Sequence, residues 1–168
     1  MTIEATNTSA APSRRLRLGM VGGGEGAFIG AVHRIAARLD DQYELVAGAL
    51  SADPARAQRS GAALGLDPAR VYPSYEAMAR LERERADPVD VVAIVTPNHL
   101  HAPVASTFLK AGFHVICDKP LTTTLVEAVA LRDVAQQSQR LFCLTHNYTG
   151  YPLVRQARAM VQAGEIGR

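Results

Sequence analysis

Tryptophan is absent from this chain, and aromatic residues make up only 5% of it. Few aromatic rings are therefore available as the stacking platforms on which single-stranded nucleic acids bind. The formal net charge is only +2, so no strongly charged surface favours nucleic acid or an anionic membrane. No apolar run reaches the length that a membrane-spanning helix needs. The sequence therefore predicts neither a nucleic-acid partner nor a membrane partner.

Cysteine is also scarce, with only Cys117 and Cys143 in the chain. Each lies in an apolar run, so we interpret both as buried, unreactive thiols in a reducing compartment and expect no metal site. Residues 1–14 are mostly small and polar, which predicts a flexible N-terminal tail. The arginines that end this tail lead into a predicted strand rather than an export signal, so we expect a cytoplasmic protein.

The remaining composition, 48% hydrophobic and 20% charged over 168 residues, is typical of a globular domain with a substantial core. A short apolar run, residues 16–21, reaches the consecutive glycines Gly22, Gly23 and Gly24. Helical spacing follows, in which one apolar stripe contains Ile29, Val32, Ile35 or Ala36, and Leu39. The order of strand, glycine turn and helix indicates the phosphate-binding opening of a dinucleotide fold.

Glycines let the backbone turn sharply and approach a pyrophosphate, while the start of a helix directs free N–H groups and a partial positive charge towards it. Two alignments with the dinucleotide fingerprint are open. Gly22-x-Gly24-x-x-Ala27 fits by count, whereas the second alignment ends at Gly30 and treats residues 25–27 as extra loop. A glycine turn that binds no ligand is the alternative to both.

Strands and helices alternate along the rest of the chain. We predict six strands, at residues 16–21, 43–50, 71–72, 89–95, 113–117 and 141–145. This alternation predicts an α/β fold with a doubly wound parallel sheet and right-handed crossovers. Ligands of such sheets bind beyond the carboxyl ends of the strands.

Three polar features are interpreted as structural. His33 lies beside the apolar stripe of the first helix, and His114 lies within a predicted strand. A helix predicted from the Ser74 cap to Arg85 alternates Glu with Arg, which is typical of a solvated face.

The second strand ends near Ser51, Asp53 and Arg56. Asp53 is interpreted as the cap of the following helix, although an acidic residue at this place can bind the ribose of NAD. Ser51 together with Arg56 is the alternative, because these side chains suit the 2′-phosphate of NADP. The choice of cofactor stays open.

Beyond the strand at 89–95 the sequence continues as Thr96-Pro97-Asn98-His99-Leu100-His101. Pro97 restricts the backbone, while the side chains of Thr96, Asn98 and His101 can bond a ribose or a carboxamide. A turn followed by a helix cap would explain Asn98 without any ligand.

The most specific signal is Asp118-Lys119-Pro120 at the end of an interior strand. A lysine there is costly unless it is solvated or paired, and Asp118 is an adjacent partner. A primary amine at the carboxyl edge can act as a general acid or base, so we predict that Lys119 is catalytic. The alternative is an exposed lysine in a turn.

The glycine turn, TPNHLH, DKP and the closing GEIG together resemble the Gfo/Idh/MocA oxidoreductases, the family of glucose-fructose oxidoreductase and inositol dehydrogenase, from Leu16 to Arg168. The resemblance implies that residues 15–150 form a Rossmann fold domain that binds NAD or NADP, with hydride transfer between that cofactor and a sugar, polyol or related hydroxy compound. It also implies Asp118 near the nicotinamide ribose, Lys119 at the reacting carbon and Asn147 at the nicotinamide end. Residues from the motifs and the resemblance expected to contact the cofactor are Gly22, Gly23, Gly24, Phe28, Ile29, Ser51, Thr96, Pro97, Asn98, His101, Asp118, Lys119 and Asn147.

Three departures from the family pattern are visible: about three extra residues in the glycine loop, Asp118 for a usual Glu, and Thr149 for a common Arg. Family members continue into an α/β domain that supplies a catalytic Asp and His, the substrate pocket and usually the oligomer interface. We expect residues 151–168 to be a helix and the start of that domain. The chain would then be an inactive fragment whose full-length form is a homo-oligomer. A Rossmann domain that stands alone is the alternative.

Two other functions are considered beside the dehydrogenase. Within the same family, a permanently held NAD can support glycoside cleavage through transient oxidation. The third hypothesis is a non-catalytic nucleotide-binding module that senses redox state.

Overall fold

A computed structural model describes residues 14–167, which contain a five-stranded, fully parallel sheet. The strands are β1 (Leu16–Gly22), β2 (Tyr43–Ala49), β3 (Val91–Val95), β4 (His114–Cys117) and β5 (Phe142–Leu144). The helices are α1 (Phe28–Leu39), α2 (Pro54–Ala63), α3 (Tyr75–Arg83), α4 (His101–Ala111), α5 (Leu125–Ser138) and α6 (Pro152–Ala163). Apart from Arg14, the predicted flexible tail lies outside the described residues.

The strand order is β2-β1-β3-β4-β5, so the winding direction reverses between β1 and β3. Successive residues of β3 face opposite sides of the sheet. Val92 and Ile94 pack with residues of α3, α4 and α5, including Phe108, whereas Ala93 packs on the side of α1 and α2. Burial on both faces explains the nearly continuous β-branched sequence of β3. The prediction of a doubly wound parallel sheet is confirmed.

Local sequence signals set several helix ends. Asp53 caps α2 by accepting a hydrogen bond from the Arg56 backbone N–H at 2.6 Å. Thr124 and Glu127 form the predicted capping box at the start of α5. Gly112 ends α4 in the left-handed conformation that favours glycine.

The predicted strand at residues 71–72 is wrong. Val71 forms an isolated parallel bridge with Gly48, and the Tyr72 N–H donates to the Gly48 carbonyl at 2.8 Å. A 3-10 turn (Pro68–Arg70) precedes these two residues and Ser74 caps α3 just after them, so the extended segment is too short for a full strand. The sheet therefore has five strands instead of six.

Helix α1 forms as predicted, but its apolar stripe does not face the core. Val32, Ile35 and Leu39 are 41%, 55% and 76% exposed. The buried residue of α1 is Gly30, and Ile29 packs partly against the core. Helical periodicity identified the helix but not its rotation about its own axis.

The fully solvated face predicted for the charged helix is wrong at Glu82, which is fully buried. Arg70 donates two hydrogen bonds to the Glu82 carboxylate, at 2.6 and 3.1 Å, and the Tyr72 hydroxyl donates a third at 2.7 Å. Burial, with the contact to Glu82, raises the pKa of Tyr72 far above its ordinary value. This buried network joins α3 to the segment that precedes it.

The two cysteines are both free thiols but differ in exposure. Cys117 is buried as predicted, and its burial raises the pKa of the thiol to about 12. The prediction is wrong for Cys143, which is exposed because it lies on the edge strand β5.

His114 begins β4 instead of lying within it. Its Nδ1 accepts a hydrogen bond from the Leu141 N–H at 2.9 Å, in agreement with a structural role. Within residues 14–167 no helix combines the length and apolarity needed to cross a bilayer. The same residues contain no group of three or more potential metal ligands.

Candidate functional site

The glycine turn between β1 and α1 is closely packed on both sides. Gly22 and Gly23 have φ angles of +81° and +73°, which other residues rarely adopt. A Cβ atom on Gly24 would lie 2.7 Å from the Leu50 carbonyl oxygen and 2.8 Å from the Ser60 Oγ. Gly22 and Gly23 are therefore required by their backbone conformation. Gly24 is required because Leu50 and Ser60 leave no room for a side chain.

Gly30, in the first turn of α1, packs directly on the glycine turn. A Cβ atom on Gly30 would overlap the Cα atom of Gly23. The third glycine of a dinucleotide fingerprint has this role of allowing close contact between helix and strand. Of the two open alignments, the structure supports the one that ends at Gly30, with residues 25–27 as extra loop.

The N-terminus of α1 faces a cavity of about 540 Å³. Ala27 is the N-cap and provides no side-chain hydrogen bond, so the first N–H groups of the helix keep their capacity to bind a ligand. Gly26 has open space where a Cβ would be, and Arg34 and Arg59 lie in the lining. Arg59 is paired with Glu25 of the same lining at 3.5 Å, so Arg34 supplies the net positive charge. The chemistry of this lining fits a pyrophosphate.

A second cavity, of about 560 Å³, runs beside α1 over the sheet. Its lining extends from Tyr43, the first residue of β2, to Asp118, Lys119 and Asn147 at the carboxyl edge. Phe28, which is 81% exposed, lines both cavities and so lies where they adjoin.

Asp118 is paired differently from the sequence prediction. Its Oδ1 accepts a hydrogen bond from the Thr145 hydroxyl at 2.8 Å and lies 3.6 Å from the His33 Nε2. Within residues 14–167 the basic side chain near Asp118 is thus His33 and not Lys119, whose side chain is exposed. The interpretation of His33 as a purely structural residue beside the stripe is corrected, because it lines the second cavity.

The residues after β3 are arranged at the same edge but line neither cavity. Pro97 and Asn98 are exposed, and Asn98 begins a short 3-10 turn. The Thr96 Oγ1 is buried and has no hydrogen-bond partner among the described residues. The buried Thr96 hydroxyl is therefore not accessible to a ribose or carboxamide, contrary to the sequence prediction, whereas Pro97 and Asn98 would contact a ligand only along the outer part of the edge.

His101 requires a correction. The side chain is only 1% exposed, with Nδ1 2.7 Å from the Pro120 carbonyl oxygen and Nε2 3.1 Å from that of Thr96. Both nitrogens are occupied by the backbone, so neither is available to a ribose or carboxamide. His101 instead joins the loop after β3 to the loop after β4.

At the end of β2, Ser51 Oγ accepts a hydrogen bond from the Asp53 N–H at 3.1 Å. Together with the bond from Arg56, this confirms the interpretation of Asp53 as a helix cap. Neither Ser51 nor Asp53 lines either of the two cavities described above.

The structure thus brings together part of the predicted set. Gly23, Gly24 and Phe28 line the first cavity, and Phe28, Ile29, Asp118, Lys119 and Asn147 line the second. Sequence reasoning missed His33 and Thr145 as cavity residues. The available signal was the position of His33 one helical turn after Ile29, which places both on one face of α1.

The model of the Gfo/Idh/MocA oxidoreductase family, with an NAD-binding Rossmann fold, matches residues 16–159 of this chain. A crystal structure of an oxidoreductase from Sinorhizobium meliloti is 63% identical, with a TM-score of 0.87 over 92% of this chain and 43% of that one.

Two other relatives are described by cofactor or substrate. An inositol dehydrogenase homolog from Azotobacter vinelandii, crystallised with NAD⁺, is 43% identical with a TM-score of 0.89, over 93% of this chain and 40% of that one. The homolog has also been solved with NADH and myo-inositol. Levoglucosan dehydrogenase from Pseudarthrobacter phenanthrenivorans is 32% identical over 92% of this chain and 40% of that protein. The chain therefore spans about 40% of the length of such relatives.

Proposed function

This chain belongs to the Gfo/Idh/MocA family of NAD-binding oxidoreductases, and from that premise we propose that it binds NAD(H) across the carboxyl edge of its sheet. The proposed reaction of the protein is hydride transfer between the nicotinamide and a hydroxyl-bearing carbon of a sugar or polyol. The observation that carries the proposal is the uncapped start of α1, held over a cavity by the contact between Gly23 and Gly30.

The phosphate end of the proposed site is the first cavity. N–H groups in the first turn of α1 supply hydrogen-bond donors, and the first turn contains no acidic side chain. Glu25 of the same lining is paired with Arg59, which offsets its charge. Gly24 keeps the turn close to the end of β2, where Ser51 lies near the proposed adenosine end.

The nicotinamide end of the proposed site is the carboxyl edge lined by Asp118, Lys119 and Asn147. Oδ1 of Asp118 is occupied by Thr145 and faces His33, which leaves Oδ2 to accept a hydrogen bond from a ribose hydroxyl. Asn147 can both donate to and accept from a carboxamide. Pro97 and Asn98 complete the outer edge of the proposed site.

When bound, the nicotinamide ring accepts or releases the hydride. Oxidation of an alcohol to a carbonyl also releases one proton from the hydroxyl oxygen. The exposed amine of Lys119 takes that proton in the oxidation direction and returns it in the reduction direction.

The proposed substrate class is a polyhydroxylated ring or chain, as in the relatives named for inositol and levoglucosan. Homo-oligomeric assembly of the whole protein and a reducing, cytoplasmic location are part of the same proposal. The free thiol of exposed Cys143 supports the location, because oxidising compartments favour disulfides.

The test is calorimetric titration of the chain with NAD⁺, NADH, NADP⁺ and NADPH. We expect saturable binding of NAD(H), lost in Gly24→Val because the added side chain meets Leu50 and Ser60. Gly150→Ala is the matched control, since a Cβ there meets nothing within 4 Å. Binding of none of the four nucleotides by the wild-type chain would refute the proposal.

Turnover separates the dehydrogenase from the other two functions. Reduction of added NAD⁺ in the presence of inositols and sugars is followed by absorbance, for this chain and for any longer form that carries it. A cofactor that stays bound through purification without net reduction would indicate glycoside cleavage instead. Binding without either reaction would indicate a sensor module.

A further inference from the structure

Beside the proposed cofactor edge, one side chain of α1 reaches across to the end of β4. The imidazole of His33 is 12% exposed, and its Nε2 lies 3.6 Å from Oδ1 of Asp118. Among residues 14–167, His33 has no other polar partner at hydrogen-bond or ion-pair distance. The contact orients the nearly buried imidazole of His33 towards Asp118, which lines the proposed cofactor site.

The same oxygen of Asp118 is bound from a third element. Thr145, just beyond β5, donates its hydroxyl to Oδ1 at 2.8 Å, and its N–H donates to the Cys117 carbonyl at 2.9 Å. The Asp118 N–H in turn donates to the Ile94 carbonyl at 3.0 Å. The carboxylate is therefore held by α1 on one side and by the β5 end on the other, while its backbone is fixed to β3.

The two carboxylate oxygens of Asp118 differ in their contacts. Both contacts, from His33 and from Thr145, go to Oδ1. Within the described residues Oδ2 has no hydrogen-bond partner, and it is not among the buried side-chain atoms that lack one. Because Asp118 lines the second cavity, this accessible oxygen is free to accept a hydrogen bond from a ligand hydroxyl.

We propose that His33 is a positioning residue of the cofactor site, which together with Thr145 orients the Asp118 carboxylate so that Oδ2 accepts a ligand hydroxyl. The inference rests on the proposed function. His33 touches neither substrate nor the reacting atoms in this proposal. It acts by restricting the rotation of the Asp118 side chain. Asp118 directly precedes the catalytic candidate Lys119.

The size of the expected effect follows from the length of the contact. At 3.6 Å the Nε2–Oδ1 contact is longer than a hydrogen bond, so its loss is expected to have a modest effect. We expect loss of the His33 contact to raise the Kd for NADH about threefold. A purely structural histidine would change the stability of the chain but not this Kd.

The test uses a double-mutant cycle on NADH binding. The fluorescence of bound NADH is measured without tryptophan emission from the chain, which has no Trp. His33→Leu removes the donor at similar volume, and His33→Gln keeps one. We expect His33→Leu to weaken NADH binding about threefold and His33→Gln by less than that. In an Asp118→Asn background, His33→Leu is expected to have little further effect, because its partner is already changed.

Two variants serve as controls for these changes. Arg38→Ala alters an exposed residue of the same helix, and Thr107→Val matches Thr145→Val on the opposite face of the sheet. Neither control is expected to change the Kd for NADH, whereas Thr145→Val is expected to weaken binding. Urea unfolding of every variant separates loss of fold from loss of binding.

Each outcome decides the inference. Equal NADH binding by wild type and His33→Leu, or additive effects of His33→Leu and Asp118→Asn, would overturn the positioning role and leave the proposed function intact. Failure of the wild-type chain to bind any dinucleotide would overturn the proposed function and this inference with it.

Discussion

Arg70 and Glu82 form an ion pair inside the protein, with side chains only 6% and 0% exposed and an N–O distance of 2.6 Å. Glu82 also accepts hydrogen bonds from the Tyr72 hydroxyl and, at 3.0 Å, from the Val89 N–H. Removal of Arg70 would leave the Glu82 carboxylate buried without its counter-charge. Removal of Glu82 would leave the buried Arg70 with only the longer contact to the half-exposed Asp87, at 3.3 Å.

Glu82→Ala is therefore expected to lower the free energy of unfolding by about 3–5 kcal/mol, as measured by urea denaturation. The control is Glu84→Ala, which breaks the exposed pair of Arg80 and Glu84 at 3.8 Å. That change is expected to cost less than about 0.5 kcal/mol. Similar losses in the two variants would contradict the importance assigned to the buried pair.

Gly30→Ala is expected to destabilise the chain by about 1–3 kcal/mol, because the added Cβ would overlap the Cα of Gly23. Since the glycine turn must move to relieve this contact, NADH affinity is expected to fall as well. Denaturation and calorimetry on the same preparation measure both effects. Gly150→Ala is the control. Unchanged stability and NADH affinity in Gly30→Ala would show that α1 does not depend on its close contact with the glycine turn.

The two thiols are expected to react very differently with a disulfide reagent. Cys143 is exposed, whereas Cys117 is buried with its thiol pKa raised to about 12, so the thiolate of Cys117 is scarce at neutral pH. One thiol per chain is expected to react in buffer and two in denaturant. In Cys143→Ser, fast reaction under native conditions would contradict the burial of Cys117.

The unfolding free energy is expected to fall in acid partly through Asp90. Hydrogen bonds from the Arg14 guanidinium, at 2.7 and 2.9 Å, hold the pKa of Asp90 below its ordinary value. A carboxylate with a lowered folded-state pKa stabilises the protein above its unfolded-state pKa of about 4, and this contribution is lost as the pH falls through the lower value.

Asp90→Asn is therefore expected to be less stable than wild type at neutral pH, with the difference shrinking as the pH falls below about 4. Urea titrations across this range provide the measurement. The exposed Asp40 offers a control in Asp40→Asn. A difference between Asp90→Asn and wild type that does not vary with pH would rule out this linkage.

Lys119 is expected to act on chemistry more than on cofactor affinity. In a form of the protein that turns over, Lys119→Met is expected to lower kcat by about two to four decades, the usual contribution of general acid–base catalysis, with a small change in cofactor Kd. Lys119→Arg keeps the charge but not a readily titrated amine, so it is also expected to be slow. Wild-type rates in Lys119→Met would contradict the catalytic role, and a loss confined to Kd would make Lys119 a binding residue.

Features that depend on a few neighbouring residues were predictable from the sequence. The glycine turn, the Asp53 cap and the Thr124 capping box all follow from local backbone chemistry, and the alternation of strands and helices follows from hydrophobic periodicity. The carboxyl-edge position of Lys119 followed in turn from that alternation. The sequence alone thus determined the fold class and the edge of the sheet where the candidate site lies.

The tertiary structure decided which side chains meet across elements. Periodicity placed His33 and Glu82 on helices, but only the packing of those helices brought His33 to Asp118 and buried Glu82. The close contact of Gly30 with the glycine turn sets the rotation of α1 about its own axis. That rotation leaves the apolar stripe of α1 exposed. Side-chain contacts between distant segments depend on such packing, and packing is a property of the folded chain rather than of any one segment.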